Sequence, residues 1–333
     1  MLIEPSIEFI DVPLVGKLGT HKLAVYEWGN KNNLNVVFCV HGLTRNGRDF
    51  NFLASALASD YRVISVDVAG RGKSDRLADP SDYNYATYVT DTAYLINKLG
   101  IRNINYIGTS MGGIIGIMLA NNFPGLLKSL TLNDIGCLVP AAGLKRIVQY
   151  VGATEFESRA AAEAELRSRC SPYGITDEAC WKDLFSHSIE DVGGTRARLA
   201  YDPAIADNLT KPLVPIIDVN LWPFWEKVKL VPTLLIRGKN SDILTHETAI
   251  QMQATHPDFR LLEIDNVGHA PALMDTTQIG AIRSLLEYEK PAIDYLLNYE
   301  SLTSLKMAKE KITSVIPKKM RDFINYIIGK NKN

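Results

Sequence analysis

Short apolar runs alternate with helix-period segments through most of the chain, and that rhythm predicts a mostly parallel sheet covered on both faces by helices. Residues 6–12 and 21–28 read as an opening antiparallel pair, and NVVFCV at 35–40 as a buried strand. A helix over 50–58, a strand over 62–68 and a helix over 83–99 follow. Then come a strand at 103–108, a helix at 111–122 and a strand at 128–133. The pattern resumes with a strand at 231–236, a helix at 245–255, a strand at 259–264 and a helix at 271–289.

Between about 137 and 228 the rhythm breaks. The alanine-rich stretch 153–169 and the stretch 177–190 read as helices, no clear buried strand is visible, and Trp222, Pro223, Phe224 and Trp225 crowd its end. The expected partition is therefore a core of 1–136 and 229–290, a helical insertion over 137–228 lying above it, and an extension over 291–333. That extension carries eight Lys/Arg against two Asp/Glu between 306 and 332, and places Phe323, Ile324, Ile327 and Ile328 on one helix face. A basic amphipathic stretch of this kind suits peripheral contact with an anionic membrane, or packing on the enzyme itself or a second subunit.

The 333 residues are enough for one large domain with an insertion, and 46% hydrophobic residues with a net charge of −1 give no reason to expect nucleic-acid binding. The opening MLIEPSIEFIDVPL has acidic residues and a proline where a targeting signal would be basic and then apolar. No run reaches the length of a membrane span. Cys39, Cys137, Cys170 and Cys180 make no C-x-x-C pair, so no metal site is expected and a reduced, cytoplasmic protein is the simplest reading. Oligomeric state is left open.

The chemistry is carried by Gly108-Thr109-Ser110-Met111-Gly112, a G-x-S-x-G run between an apolar strand and a helix. Such a turn is too sharp for bulky neighbours, and it leaves a strained serine with its hydroxyl exposed at a helix N-terminus. A serine needs a base and an acid to orient that base. His269, in the loop after strand 259–264, is the expected base. Asp242, after strand 231–236, is the expected acid, with Asp134 at the end of strand 128–133 as its rival. The backbone N–H groups of Met111 and of Leu43, in His41-Gly42-Leu43-Thr44, are the expected oxyanion donors. His41 reads as a pin for that loop. Arg45 reads as a solvated loop cation that could instead meet an acidic substrate group. Gly70-Arg71-Gly72-Lys73-Ser74 lacks phosphate-loop spacing and reads as a tight turn.

Together His41-Gly42, DVAGRGKSD at 67–75, GTSMGG at 108–113, Asp242 and Gly268-His269 resemble the α/β-hydrolase superfamily over roughly residues 20–290. The resemblance implies an α/β-hydrolase fold with a central sheet of about eight strands and a cap formed by the insertion. It also implies a serine hydrolase with an acyl-enzyme intermediate and no cofactor. The expected activity is cleavage of a small-molecule carboxylic ester, with Trp222 and Trp225 shaping the substrate pocket. The Ser-Met-Gly-Gly run also looks like that of carbon–carbon hydrolases acting on diketo-acid ring-fission products, although Ala270 and Pro271 stand where those enzymes commonly have an aromatic residue. A non-catalytic ligand-binding protein on the same fold is the third alternative.

Overall fold

The computed structural model describes residues 2–209 and 215–288. The expected extension over 291–333, with its membrane contact, lies outside them. The elements run β1 (Ser6–Pro13), β2 (Thr20–Trp28), β3 (Val36–Val40), α1 (Asn51–Leu57), β4 (Arg62–Val66), α2 (Tyr85–Lys98), β5 (Ile104–Thr109), α3 (Met111–Asn122) and β6 (Leu127–Asn133). Next come β7 (Leu138–Val139), α4 (Ala141–Val148), β8 (Glu155–Phe156), α5 (Arg159–Cys170), α6 (Glu178–Ser188), β9 (Ile189–Asp191), β10 (Ala197–Leu199), β11 (Val219–Asn220) and α7 (Trp222–Val228). The chain then continues through β12 (Thr233–Gly238), α8 (His246–Thr255), β13 (Phe259–Ile264) and α9 (Thr276–Leu286).

The main sheet has eight strands in the order β1-β2-β4-β3-β5-β6-β12-β13. β1 and β2 pair antiparallel, β2 pairs antiparallel with β4, and every later pairing is parallel. The apolar runs of β3 and β4 are buried at every position, because helices cover both faces of the sheet. α2 starts where the Asn84 side chain accepts from the Thr87 amide. α3 is apolar on nearly every side, since it lies between the sheet and α7. A Cβ at Gly116 would press into the Tyr106 ring, so glycine there lets helix and sheet approach closely.

The segment between β6 and β12 differs from the helical insertion expected. It holds α4–α7, but also a three-stranded sheet, β8-β10-β9, and a two-stranded one, β7 with β11. These strands are two or three residues long, too short for an alternating pattern to register. The segment is tied to the loops above the sheet. Arg45 donates to Ser188 Oγ (2.9 Å), Asn46 to the His187 carbonyl (2.9 Å), and Tyr83 to Asp202 (2.7 Å). All four cysteines are buried free thiols.

Candidate active site

The site is built where adjacent strands end. Thr109 of β5 pairs with Asn133 of β6, so the next residues, Ser110 and Asp134, emerge side by side from the sheet. Both then turn sharply, with φ of +51° and +55°. The Ser110 amide donates to the Asn133 carbonyl (2.9 Å), and the Asp134 amide to the Ile236 carbonyl (2.8 Å). Room for the first turn depends on glycine. A Cβ on Gly108 would run into the backbone of Gly112 and Gly113, and one on Gly112 into the Val40 carbonyl.

His269 comes from the loop after β13 and bridges the two. Its Nε2 lies 2.8 Å from Ser110 Oγ and its Nδ1 2.7 Å from Asp134 Oδ2. A carboxylate only accepts, so Nδ1 carries the proton and Nε2 is left to accept from the serine hydroxyl. Asp134 is fully buried and accepts further hydrogen bonds from the Gly238 amide (2.9 Å) and the Ser241 hydroxyl (2.6 Å). Ser241 Oγ in turn accepts from the Ile243 and Leu244 amides, at 3.2 and 3.1 Å. The His269 loop is held by Asn133 Nδ2 on the Pro271 carbonyl (2.8 Å) and by the Gly268 amide on the Pro172 carbonyl (2.7 Å).

The carboxylate behind the imidazole is therefore Asp134, where the sequence favoured Asp242. Asp242 makes an ion pair with Arg146 of α4 (2.6 Å), and this hydrogen bond holds its carboxyl below the usual range. Its neighbour Ser241 is the residue of that loop that reaches the site. Neither Ser241 nor Asn133 stood out in the sequence. The one available signal was their place beside strand ends, Asn133 immediately before Asp134 and Ser241 in the loop after β12.

On the other side of Ser110 runs the loop after β3. A Cβ on Gly42 would lie 3.8 Å from Ser110 Cβ, which brings the Gly42–Leu43 backbone alongside the nucleophile. Met111 opens α3, so its amide has no acceptor within the helix. His41 is fully buried; its Nδ1 donates to the Gly42 carbonyl (2.7 Å) and its Nε2 accepts from the Val68 amide (3.0 Å). Burial pushes its pKa down to about 3, so it stays neutral and pins the loop. Asp67 ties the neighbouring turns together by accepting from the Tyr26 hydroxyl and from the Gly47 and Lys73 amides. Burial raises its pKa to about 6.

Arg45 is not a solvated cation: it is buried, and both Asp49 oxygens bind its guanidinium. It lines a cavity together with Thr44, Tyr150, Arg169, Tyr173 and Tyr201. Trp222 and Trp225 line neither this cavity nor the neighbouring one that includes Thr109 and Ala270. Trp225 packs on His256 and Phe259 and donates to Thr255 Oγ1, and Trp222 stands edge-on to it. Trp225 is core between α7 and α8, and Trp222 and Phe224 pack partly buried against it. Among the described residues, no three His, Cys, Asp or Glu side chains converge as metal ligands would.

A model of the α/β hydrolase fold matches residues 35–275. The chain is 36% identical to the 3-hydroxybutyrate-oligomer hydrolase of Cupriavidus necator, over 84% of this chain and 97% of that protein. Two solved structures are similar. A putative hydrolase from Rickettsia typhi is 38% identical, with a TM-score of 0.79, over 86% of this chain and all (100%) of its own. An α/β hydrolase from Novosphingobium aromaticivorans is 34% identical, with a TM-score of 0.73, over 85% and 99%. Strand order, the sharp serine turn and these likenesses agree: the chain belongs to the α/β-hydrolase family and is a hydrolase.

Proposed function

We propose that the protein hydrolyses carboxylic esters through an acyl-enzyme on Ser110. The observation that carries this reading is the unbroken hydrogen-bond chain Ser110–His269–Asp134. His269 Nε2 takes the hydroxyl proton as Ser110 Oγ bonds to the ester carbonyl carbon. The carbonyl electron pair moves onto oxygen, and the Leu43 and Met111 amides receive that charge. Asp134 steadies the imidazolium. Collapse breaks the ester C–O bond, and the leaving alcohol takes the proton from His269. Water then repeats the sequence, releasing the acid and restoring Ser110. The segment over 137–228 serves as the cap that shapes the acyl site.

The substrate class follows from the 3-hydroxybutyrate-oligomer hydrolase, whose likeness spans nearly its whole length. An oligomeric hydroxyacid ester offers several oxygens and one terminal carboxylate. The cavity beside Thr44 offers hydroxyls of Tyr150, Tyr173 and Tyr201 to such oxygens, beside the ion-paired guanidinium of Arg169. The test compares 3-hydroxybutyrate dimer and trimer with p-nitrophenyl butyrate, on wild type and Ser110→Ala. Faster turnover of the oligomers, lost in the variant by about six orders of magnitude, is expected. Full turnover in Ser110→Ala would overturn the mechanism.

A further inference from the structure

Arg71 is fully buried in the turn after β4, yet it takes part in no ion pair among the described residues. Its Nε donates to the Leu43 carbonyl (2.9 Å), and its Nη1 to the Ala69 carbonyl (2.7 Å) and the Tyr88 hydroxyl (3.0 Å). Its Nη2 lies 3.6 Å from Met111 Sδ. The Tyr88 and Tyr83 rings flank the guanidinium at 4.9 and 5.7 Å. The turn that carries it is fixed in place, because Gly72 donates to the Ala200 carbonyl and Asp202 to the Gly70 carbonyl. Gly72 has φ +53°, and a Cβ there would collide with the Asp67 carboxylate.

A buried guanidinium without a carboxylate is costly, and neutral acceptors compensate it only in part. The two residues it grips outside its own turn and α2 are Leu43 and Met111, whose amides are the two oxyanion donors of the proposed mechanism. One rigid fork thus touches both residues that supply the hole, Leu43 through its carbonyl and Met111 through its sulfur. We propose that Arg71 is a positioning residue for the oxyanion hole. It holds the Leu43 backbone, through the carbonyl one peptide on from the donor amide, and the Met111 side chain in register with Ser110, and sets an uncompensated positive charge behind the site where negative charge develops. Charge is weakly screened in such an interior, so its effect is felt by the oxyanion more than by the neutral ester.

The inference rests on the proposed ester hydrolysis, and the test separates the two. A carbonyl-13C-labelled trifluoromethyl ketone should form a hemiketal on Ser110 of the wild-type chain; failure to do so would sink the mechanism itself. In the variants, kcat and KM for p-nitrophenyl butyrate are read beside the pH at which the hemiketal oxygen protonates, with circular dichroism as the folding control. Arg71→Lys keeps a charge but loses the planar fork, and Arg71→Met loses both. Arg71→Lys should lower kcat at least about tenfold with KM within about threefold. It should also move hemiketal protonation to higher pH. Arg71→Met should go further in both, by about a hundredfold in kcat. If Arg71→Met does not fold, Arg71→Lys decides. Wild-type kcat in Arg71→Lys, or unchanged hemiketal protonation in a folded variant, would reduce Arg71 to scaffold and overturn the proposal.

Discussion

Replacing each of the two rival carboxylates by its amide should have effects about four orders of magnitude apart. Asp134 receives protons at both oxygens: His269 Nδ1 and the Ser241 hydroxyl on Oδ2, the Gly238 amide on Oδ1. In Asp134→Asn the new NH2 must face one side or the other. Toward Gly238 it sets donor against donor in a buried site, at about 1–3 kcal/mol. Toward His269 it forces Nδ1 to accept, so the proton sits on Nε2 and the imidazole no longer serves Ser110. The second arrangement removes the base, and the equivalent change in other triads lowers kcat by about 10⁴, or roughly 5.5 kcal/mol of activation free energy. Asp242 loses only its bond to Arg146. That pair is well exposed, at 37% and 42%, and is worth at most about 1 kcal/mol of stability. Asp242→Asn should therefore keep kcat within about twofold. Steady-state kinetics on p-nitrophenyl butyrate, with thermal melts of both variants, check this. A crippled Asp242→Asn beside an active Asp134→Asn would refute the assignment.

The neutral His41 makes stability depend on pH. Its folded pKa of about 3 lies below the ordinary 6.5, so between these values the unfolded chain holds the extra proton. Its contribution is full above about pH 6.5 and is lost as pH falls toward 3, at about 1.4 kcal/mol per unit. In urea titrations the gap between wild type and His41→Gln should narrow from pH 7 to pH 4; a constant gap would refute it. Gly112→Ala drives a methyl group into the Val40 carbonyl, and should cost about 1–3 kcal/mol in urea unfolding and most of the activity. Wild-type values for that variant would show that the turn has room the structure lacks.

The sheet and its crossover helices were legible because buried parallel strands are written as unbroken apolar runs, as in VVFCV, and helices such as α2 as amphipathic ones. Ser110 was legible because it sits at a strand end between Gly108 and Gly112, and His269 because it follows Gly268 in the loop after β13. The acid was not. Asp134 and Asp242 both follow strands and both precede His269 in the chain. Choosing between them needs strand adjacency: β6 lies beside β5, whereas β12 is one strand further away. The burial of Arg45 and Trp225 was not legible for a related reason. A charged or aromatic run looks alike in sequence whether it faces solvent, substrate or core, and only the packing of Asp49, His256 and Phe259 decides.

Because Ser110 and Asp134 leave neighbouring strands at matching rungs, their spacing is inherited from the backbone ladder, about 4.8 Å between chains. No loop has to fold correctly to bring them together, and no loop motion can part them without breaking the hydrogen bond from the Ser110 amide to the Asn133 carbonyl. His269 alone is delivered by a loop. Within the Ser110–His269–Asp134 chain, looseness on warming or as ligands come and go is concentrated in that one imidazole, while hydroxyl and carboxylate keep the stiffness of the sheet.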